Sequence, residues 1–297
     1  MPLPNPLELS PTEPAMPPKK TVPTIKSSKR RAGANPLVMV TAYDAPTSRV
    51  ASDSDVDLIL VGDSVAMVVL GYDTTLEVTV DDMAYHVGAV ARAKPDAVIV
   101  GDLPWMSYHV SPQQTVLNAA TLIRAGAHCV KIEGGRNRVG MVEAIVGAEI
   151  PVVGHLGLTP QSTHSMGGFK VQAQDMDAVE TLVEDATALE DAGVFAIVLE
   201  GIPDIVGTLI TERLDIPTIG NGAGPDTDGQ VLVFHDIIGL ENRFKPRFVR
   251  RYGNAYQDQV SAVSAFANDV RSCQYPDESE TYTAGDGLKD AINLFRS

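Results

Sequence analysis

The chain is 297 residues long, 44% hydrophobic and 21% charged, which provides for a sizeable core and excludes global disorder. Its net charge of −15 repels nucleic acid and anionic membrane surfaces, yet allows an anionic substrate wherever a local cation reverses the potential. No apolar run approaches the ~18 residues of a membrane span. Cys129 and Cys273, the two cysteines, form neither a disulfide framework nor a zinc spacing, and they fit a reducing cytoplasm.

Residues 1–23 are rich in proline, and Lys19, Lys20, Lys26, Lys29, Arg30 and Arg31 make the following stretch basic. No apolar segment of a secretory signal is present, and the composition predicts a mobile arm over residues 1–30. From Leu37 onward short apolar runs alternate with longer helix-patterned stretches. Strands are predicted at Leu37–Thr41, Leu58–Val61, Val98–Gly101, Cys129–Ile132, Pro151–Val153, Ala196–Leu199, Pro217–Ile219 and Val231–Phe234. Nearly uniform apolarity marks parallel strands buried on both faces. Between them, Thr79 and Asp82 form a capping-box pattern ahead of Met83–Ala93, and Ser111-Pro112-Gln113-Gln114 opens a helix that runs to Ala125 and stops at Gly126. Asp175 is placed to cap Met176–Asp191. This alternation implies right-handed βαβ units, and eight strands favour a closed (β/α)8 barrel of ~250 residues over an open doubly wound sheet. The last two strands are the least supported, because Ile219 and Val231 leave little room for a helix.

Polar residues follow the strands in a pattern. Asp63 and Ser64 follow the second strand and Asp102 the third. Lys131 and Glu133 lie at the end of the fourth, His155 after the fifth and Glu200 after the sixth. In a parallel barrel these ends share one face, where active sites of this architecture lie. Two carboxylates about 4 Å apart repel by roughly 4 kcal/mol at an effective dielectric of 20. A hard divalent cation relieves that repulsion, and oxygen ligands select magnesium, calcium or manganese over zinc. Asp63 and Asp102 are the first candidates as ligands, with Glu133 binding directly or through water. One such acid alone would be read as a helix cap, and His155 alone as a hydrogen-bonded structural histidine; four acids at equivalent strand ends fit neither description well. Lys131 and Glu133 share one face of their strand, and packing does not explain a charged pair inside a barrel. The Gly220–Gly224 loop matches no dinucleotide or phosphate-loop spacing and reads as a tight turn. Arg243, Lys245, Arg247, Arg250 and Arg251 read as a solvated or subunit-contact face.

Several segments, in order, resemble the ketopantoate hydroxymethyltransferase family. They are Thr41–Asp44, Val61–Ser64, Val68–Tyr72, Leu76–His86, Asp102–Tyr108, Val130–Gly135, Gly154–Ser162 and Gly220–Gly224 leading into Asp228-Gly229-Gln230. The likeness runs from about Lys19 to Gly285, so residues 31–285 are expected as one barrel domain and 286–297 as a C-terminal extension. The resemblance implies a barrel of the phosphoenolpyruvate- and pyruvate-using type. It implies that Asp63, Asp102 and Glu133 hold Mg2+, that Asp63, Ser64, Asp102 and Lys131 contact substrate, and that Glu200 is the proton acceptor, with His155 in support. The implied reaction belongs to pantothenate biosynthesis. It moves a hydroxymethyl group from 5,10-methylenetetrahydrofolate to 3-methyl-2-oxobutanoate through a magnesium-stabilised enolate, giving 2-dehydropantoate. A cytoplasmic homo-oligomer, a decamer, is implied as well. Asn221, Ser165 and Gly201 depart from the family pattern and bear on rate and folate affinity. Two alternatives share the residues: a folate-independent 2-oxo-acid C–C lyase of the same superfamily, and a non-catalytic scaffold.

Overall fold

Eight parallel strands close on themselves, each hydrogen-bonded to its neighbours in sequence order, with β8 returning to β1. They are β1 Leu37–Thr41, β2 Leu58–Val61, β3 Val98–Asp102, β4 Cys129–Glu133, β5 Val152–Gly157, β6 Ala196–Glu200, β7 Thr218–Asn221 and β8 Gly229–Leu232. The computed structural model describes residues 20–30, 33–240 and 246–296. Closure excludes the open sheet. The last strand starts and ends two residues earlier than expected, because Phe234 begins a helix and donates its backbone N–H to Thr41 Oγ1 at 3.0 Å. No helix joins β7 to β8. Instead Gly222 and Gly224, with φ of 73° and 85°, turn the chain in backbone conformations that side chains disfavour.

The crossover helices form where their caps predict. Ser111 Oγ accepts the Gln114 N–H, Thr79 and Asp82 complete a reciprocal box, and Asp175 Oδ1 accepts the Ala178 N–H. Each such cap contributes about 1 kcal/mol. The helices Val80–Arg92, Pro112–Ala125 and Met176–Asp191 bury Met83, Val87 and Val90, then Thr115, Ala119 and Leu122, then Leu182, Ala186 and Leu189. This three-to-four-residue spacing is that of one helical face. The strand walls are buried nearly throughout. Val38, 49% exposed, and its register partner Gln230 are exceptions at the β1–β8 seam.

The barrel interior is layered. Leu37 and Met39, Leu58 and Leu60, Val98 and Val100, Cys129, Val153, Ala196 and Val198, Ile219 and Val231 form one apolar cluster. These are alternate residues of their strands, the set that points inward. Ile25 belongs to the same cluster and lies in a short helix, Val22–Lys26, entered through a Thr21–Thr24 capping box. Lys29 Nζ follows it into the interior, 2.8 Å from Asp228 Oδ2 and within hydrogen-bond reach of the Thr211 and Ile216 carbonyls. The mobile arm expected through residue 30 is therefore corrected for Lys20–Arg30, which buries Ile25 and Lys29; residues 1–19 lie outside the described residues.

The chain divides into two compact units, residues 1–234 with 246–249, and residues 235–245 with 250–297. The division falls after β8, where the barrel has closed, and not at residue 285. The second unit contains the helices Ala255–Arg271 and Asp286–Arg296, the first of which buries none of its residues. Arg247, Arg250 and Arg251 of the basic cluster are exposed, whereas Arg243 and Lys245 lie outside the described residues.

Lys29→Met leaves the Asp228 carboxylate buried without its ammonium, and removal of one partner of a buried pair costs about 3–5 kcal/mol. Urea unfolding followed by circular dichroism is expected to show a lowered midpoint and an unfolding free energy smaller by that amount.

Candidate active site

The inward parity that is apolar at the lower end of the barrel becomes charged at the upper end. Val98 and Val100 lead to Asp102, Cys129 leads to Lys131 and Glu133, Val153 to His155, and Ala196 and Val198 to Glu200. Strand register sets these groups side by side: Asp102 pairs with Lys131 and Glu133 with His155. Lys131 Nζ lies 2.8 Å from Asp102 Oδ1, 3.5 Å from Glu133 Oε1 and 3.2 Å from His155 Nδ1. His155 bridges the next pair, with Nδ1 3.2 Å from Glu133 Oε1 and Nε2 3.3 Å from Glu200 Oε2. Asp63 enters from the turn after β2, where its backbone N–H donates to Asp102 Oδ2 at 3.0 Å. The structure thus brings Asp63, Asp102, Lys131, Glu133, His155 and Glu200 into one network. Ser64, beside them in sequence, shares a hydrogen bond of 2.9 Å with the fully buried Tyr43 hydroxyl.

Glu200 owes its position to a close approach of backbone. Its carbonyl accepts the Leu158 N–H at 2.7 Å, and a Cβ at Gly157, where φ is 90°, would stand 2.2 Å from that oxygen. Asp63, Asp102, Lys131, Glu133 and His155 are all buried, whereas the Glu200 side chain keeps 15% of its surface.

Burial works against every charge here, and the neighbours decide the outcome. Burial, then the charges of Asp102 and Glu133, push Asp63 well above the usual carboxylate range. Burial also raises Asp102, against the opposing pull of Lys131. For Glu133, burial is outweighed by Lys131 and His155, which hold it low. Burial disfavours the Lys131 ammonium, but Asp102, Glu133 and Asp63 hold its pKa above the ordinary lysine value. His155 is disfavoured as a cation by burial and by Lys131, yet Glu133 and Glu200 push it up to about 9.

Sequence reasoning missed Gln161 and Tyr108, both buried. Gln161 donates from Nε2 to Asp63 Oδ2 and to the Leu103 carbonyl, and from its backbone N–H to Glu133 Oε2. Its Oε1 accepts the Tyr108 hydroxyl at 2.5 Å. Burial and the nearby carboxylates raise Tyr108 far above the usual phenol value, so it is a neutral donor. Neither residue carries a charge. The available signal was their place in two segments that carry the family resemblance, Asp102–Tyr108 and Gly154–Ser162, in the loops after β3 and β5.

Among the described residues, no three histidine, cysteine or carboxylate side chains form a ready-made metal cage. A cation that takes one or two protein carboxylates and completes its shell with water and substrate does not need one. Asp63 Oδ1 takes no hydrogen bond from a described residue. With Asp102 it offers oxygen donors only, in a pocket of surplus negative charge, and this donor chemistry fits a hard divalent cation.

The fold defines a class, the closed parallel (β/α)8 barrel. A phosphonopyruvate hydrolase solved with oxalate and magnesium superposes with a TM-score of 0.56 at 13% identity, covering 93% of this chain and 97% of that one. A 2,3-dimethylmalate lyase does so with a TM-score of 0.56 at 17% identity, covering 93% and 98%. At these identities the likeness is one of fold. Sequence comparison goes further: the model of the ketopantoate hydroxymethyltransferase family matches residues 19–278. The 3-methyl-2-oxobutanoate hydroxymethyltransferase of Koribacter versatilis is 51% identical over 84% of this chain and 84% of its own. That of Geobacter metallireducens is 48% identical over 89% and 99%. The chain belongs to the ketopantoate hydroxymethyltransferase family, and it is an enzyme.

The raised Asp63 pKa has a consequence for stability. A carboxyl whose folded pKa lies above its unfolded value stabilises the fold fully below the unfolded value. That contribution is lost as pH rises through the folded value. In chelator-treated protein, Asp63→Asn is therefore expected to raise the melting temperature at pH 7–8, with the gain shrinking toward pH 4. Differential scanning calorimetry across that range checks it; a loss of stability at pH 7–8 would contradict the assignment of an uncompensated charge.

Proposed function

We propose that this enzyme transfers a hydroxymethyl group from 5,10-methylenetetrahydrofolate to 3-methyl-2-oxobutanoate, giving 2-dehydropantoate and tetrahydrofolate in pantothenate biosynthesis. The observation that carries the residue assignment is the contrast between Glu200 and the other acids. Glu200 keeps an exposed edge at the mouth, while Asp102 and Glu133 are buried beside Lys131.

In this reading Asp63 and Asp102 hold Mg2+, with Glu133 beside it. When bound, the ion supplies the Lewis acidity that polarises the keto acid and acidifies its C3–H. Glu200 accepts that proton, held in place by His155 Nε2 at 3.3 Å. The electron pair released at C3 forms the new C–C bond to the one-carbon unit. Both C–N bonds of that carbon to the folate break, water supplies the hydroxyl oxygen and its two protons to the folate nitrogens, and the C3 proton passes from Glu200 to the new alkoxide. Ser64 and Lys131 take the substrate carboxylate. Tyr43 orients the Ser64 hydroxyl, and Lys131 supplies the positive charge that an anion needs among four carboxylates. The same family reading places the protein in the cytoplasm as a homo-oligomer, with a decamer as the favoured assembly. The two free cysteines support a reducing compartment. No helix among the described residues is long and apolar enough to cross a membrane.

NMR of the protein with 3-methyl-2-oxobutanoate and magnesium in deuterated water is expected to show metal-dependent exchange at C3, and 2-dehydropantoate only when the folate is added. Exchange without a folate-dependent product would indicate the lyase chemistry instead. Glu200→Gln is expected to slow exchange by about 10²-fold or more while keto-acid binding persists. Undiminished exchange in that variant would remove Glu200 as the base.

A further inference from the structure

Gln161 is the neutral residue through which three loops of the barrel mouth meet. It follows β5, yet its side-chain Nε2 reaches Asp63 Oδ2, in the turn after β2, at 2.9 Å. The same nitrogen donates to the carbonyl of Leu103, after β3, at 3.0 Å, and its backbone N–H donates to Glu133 Oε2 at 3.1 Å. The orientation of the amide is fixed. A flipped amide would set Oε1 against two acceptors and Nε2 against the Tyr108 hydroxyl, losing two hydrogen bonds in a site where Gln161 is 4% exposed. Both donor hydrogens and the acceptor are thereby used.

We propose that Gln161, locked by Tyr108, is a positioning residue for the divalent cation. It occupies one oxygen of Asp63 and leaves Oδ1 as the ligand atom, while its backbone N–H holds Glu133 alongside. The proposal rests on the reading that Asp63 is a metal ligand. Its physical basis is that a carboxylate with one oxygen tethered presents the other in a defined direction, whereas an untethered carboxylate rotates and must be ordered by the cation. Partners that orient ligands in this way change metal affinity by 10–100-fold on removal. Gln161→Leu removes both side-chain donors and the acceptor while keeping the backbone bond to Glu133. Tyr108→Phe keeps the amide but removes the hydroxyl that locks its orientation, and it serves as the second variant if Gln161→Leu does not fold.

The test is Mn2+ binding to the chelator-treated full-length protein, followed by the electron paramagnetic resonance signal of free Mn2+, with melting temperature as the fold control. Gln161→Leu is expected to weaken Mn2+ by 10–100-fold and Tyr108→Phe by less, both with cooperative melting. Turnover of Gln161→Leu is expected to recover as magnesium is raised, which a general packing defect would not produce. Wild-type Mn2+ affinity in both folded variants overturns the proposal while leaving Asp63 as a ligand. Unchanged Mn2+ binding by Asp63→Asn, or none by the wild type, instead overturns the ligand reading and the proposal with it.

Discussion

Lys131 carries a positive charge inside the barrel, 2.8 Å from Asp102 and 3.5 Å from Glu133, and the site depends on it. Three buried carboxylates on neighbouring strands repel one another, by roughly 4 kcal/mol for a pair 4 Å apart at an effective dielectric of 20. The ammonium offsets part of that cost, and the register that places Asp102 opposite Lys131 makes the offset possible. What it leaves uncompensated bears on Asp63, whose hydrogen-bond partner is the neutral Gln161 rather than Lys131, and whose pKa burial and its acidic neighbours push upward. On the reading that the site holds a divalent cation, this puts the charge imbalance at the proposed ligand.

The interior of one barrel serves two purposes along its axis. At the lower end the inward residues are apolar, and Ile25 is packed into them from a short helix before β1. The buried Lys29–Asp228 pair ties that segment to the start of β8. At the upper end the same inward parity carries acids, a lysine and a histidine. A buried ion pair is weak evidence of stabilisation in itself, because desolvation consumes most of the attraction. The charged upper layer is therefore maintained by the apolar lower layer and by the helices that cover the wall, and its presence has to be explained by chemistry.

Much of this was legible in the chain. Apolar runs marked seven strands and, two residues late, the eighth, and the caps at Thr79, Ser111 and Asp175 marked three helices, because both signals are local. The site acids were legible for a related reason: a parallel barrel sends every strand end to one face, so position along a strand predicts membership of the site. The segment from Lys20 to Arg30 was not legible as structure. Proline and basic residues read as a mobile arm, and the burial of Lys29 depends on partners far along the chain, among them Asp228, 199 residues away. The division after Phe234 was likewise hidden, since no proline- or glycine-rich linker marks it in the sequence.

Alternation and strand-end chemistry, which depend on neighbours in the chain, determined the closed barrel and the acid ring, while the ordered motif segments carried the family resemblance. Tertiary structure alone decided which acid stays open at the mouth and which are enclosed, because exposure depends on what the other loops cover. It also decided the parts played by Gln161, Tyr108 and Tyr43. These are neutral side chains whose one or two hydrogen bonds reach across the mouth, and such bonds leave no periodicity or charge pattern in a sequence.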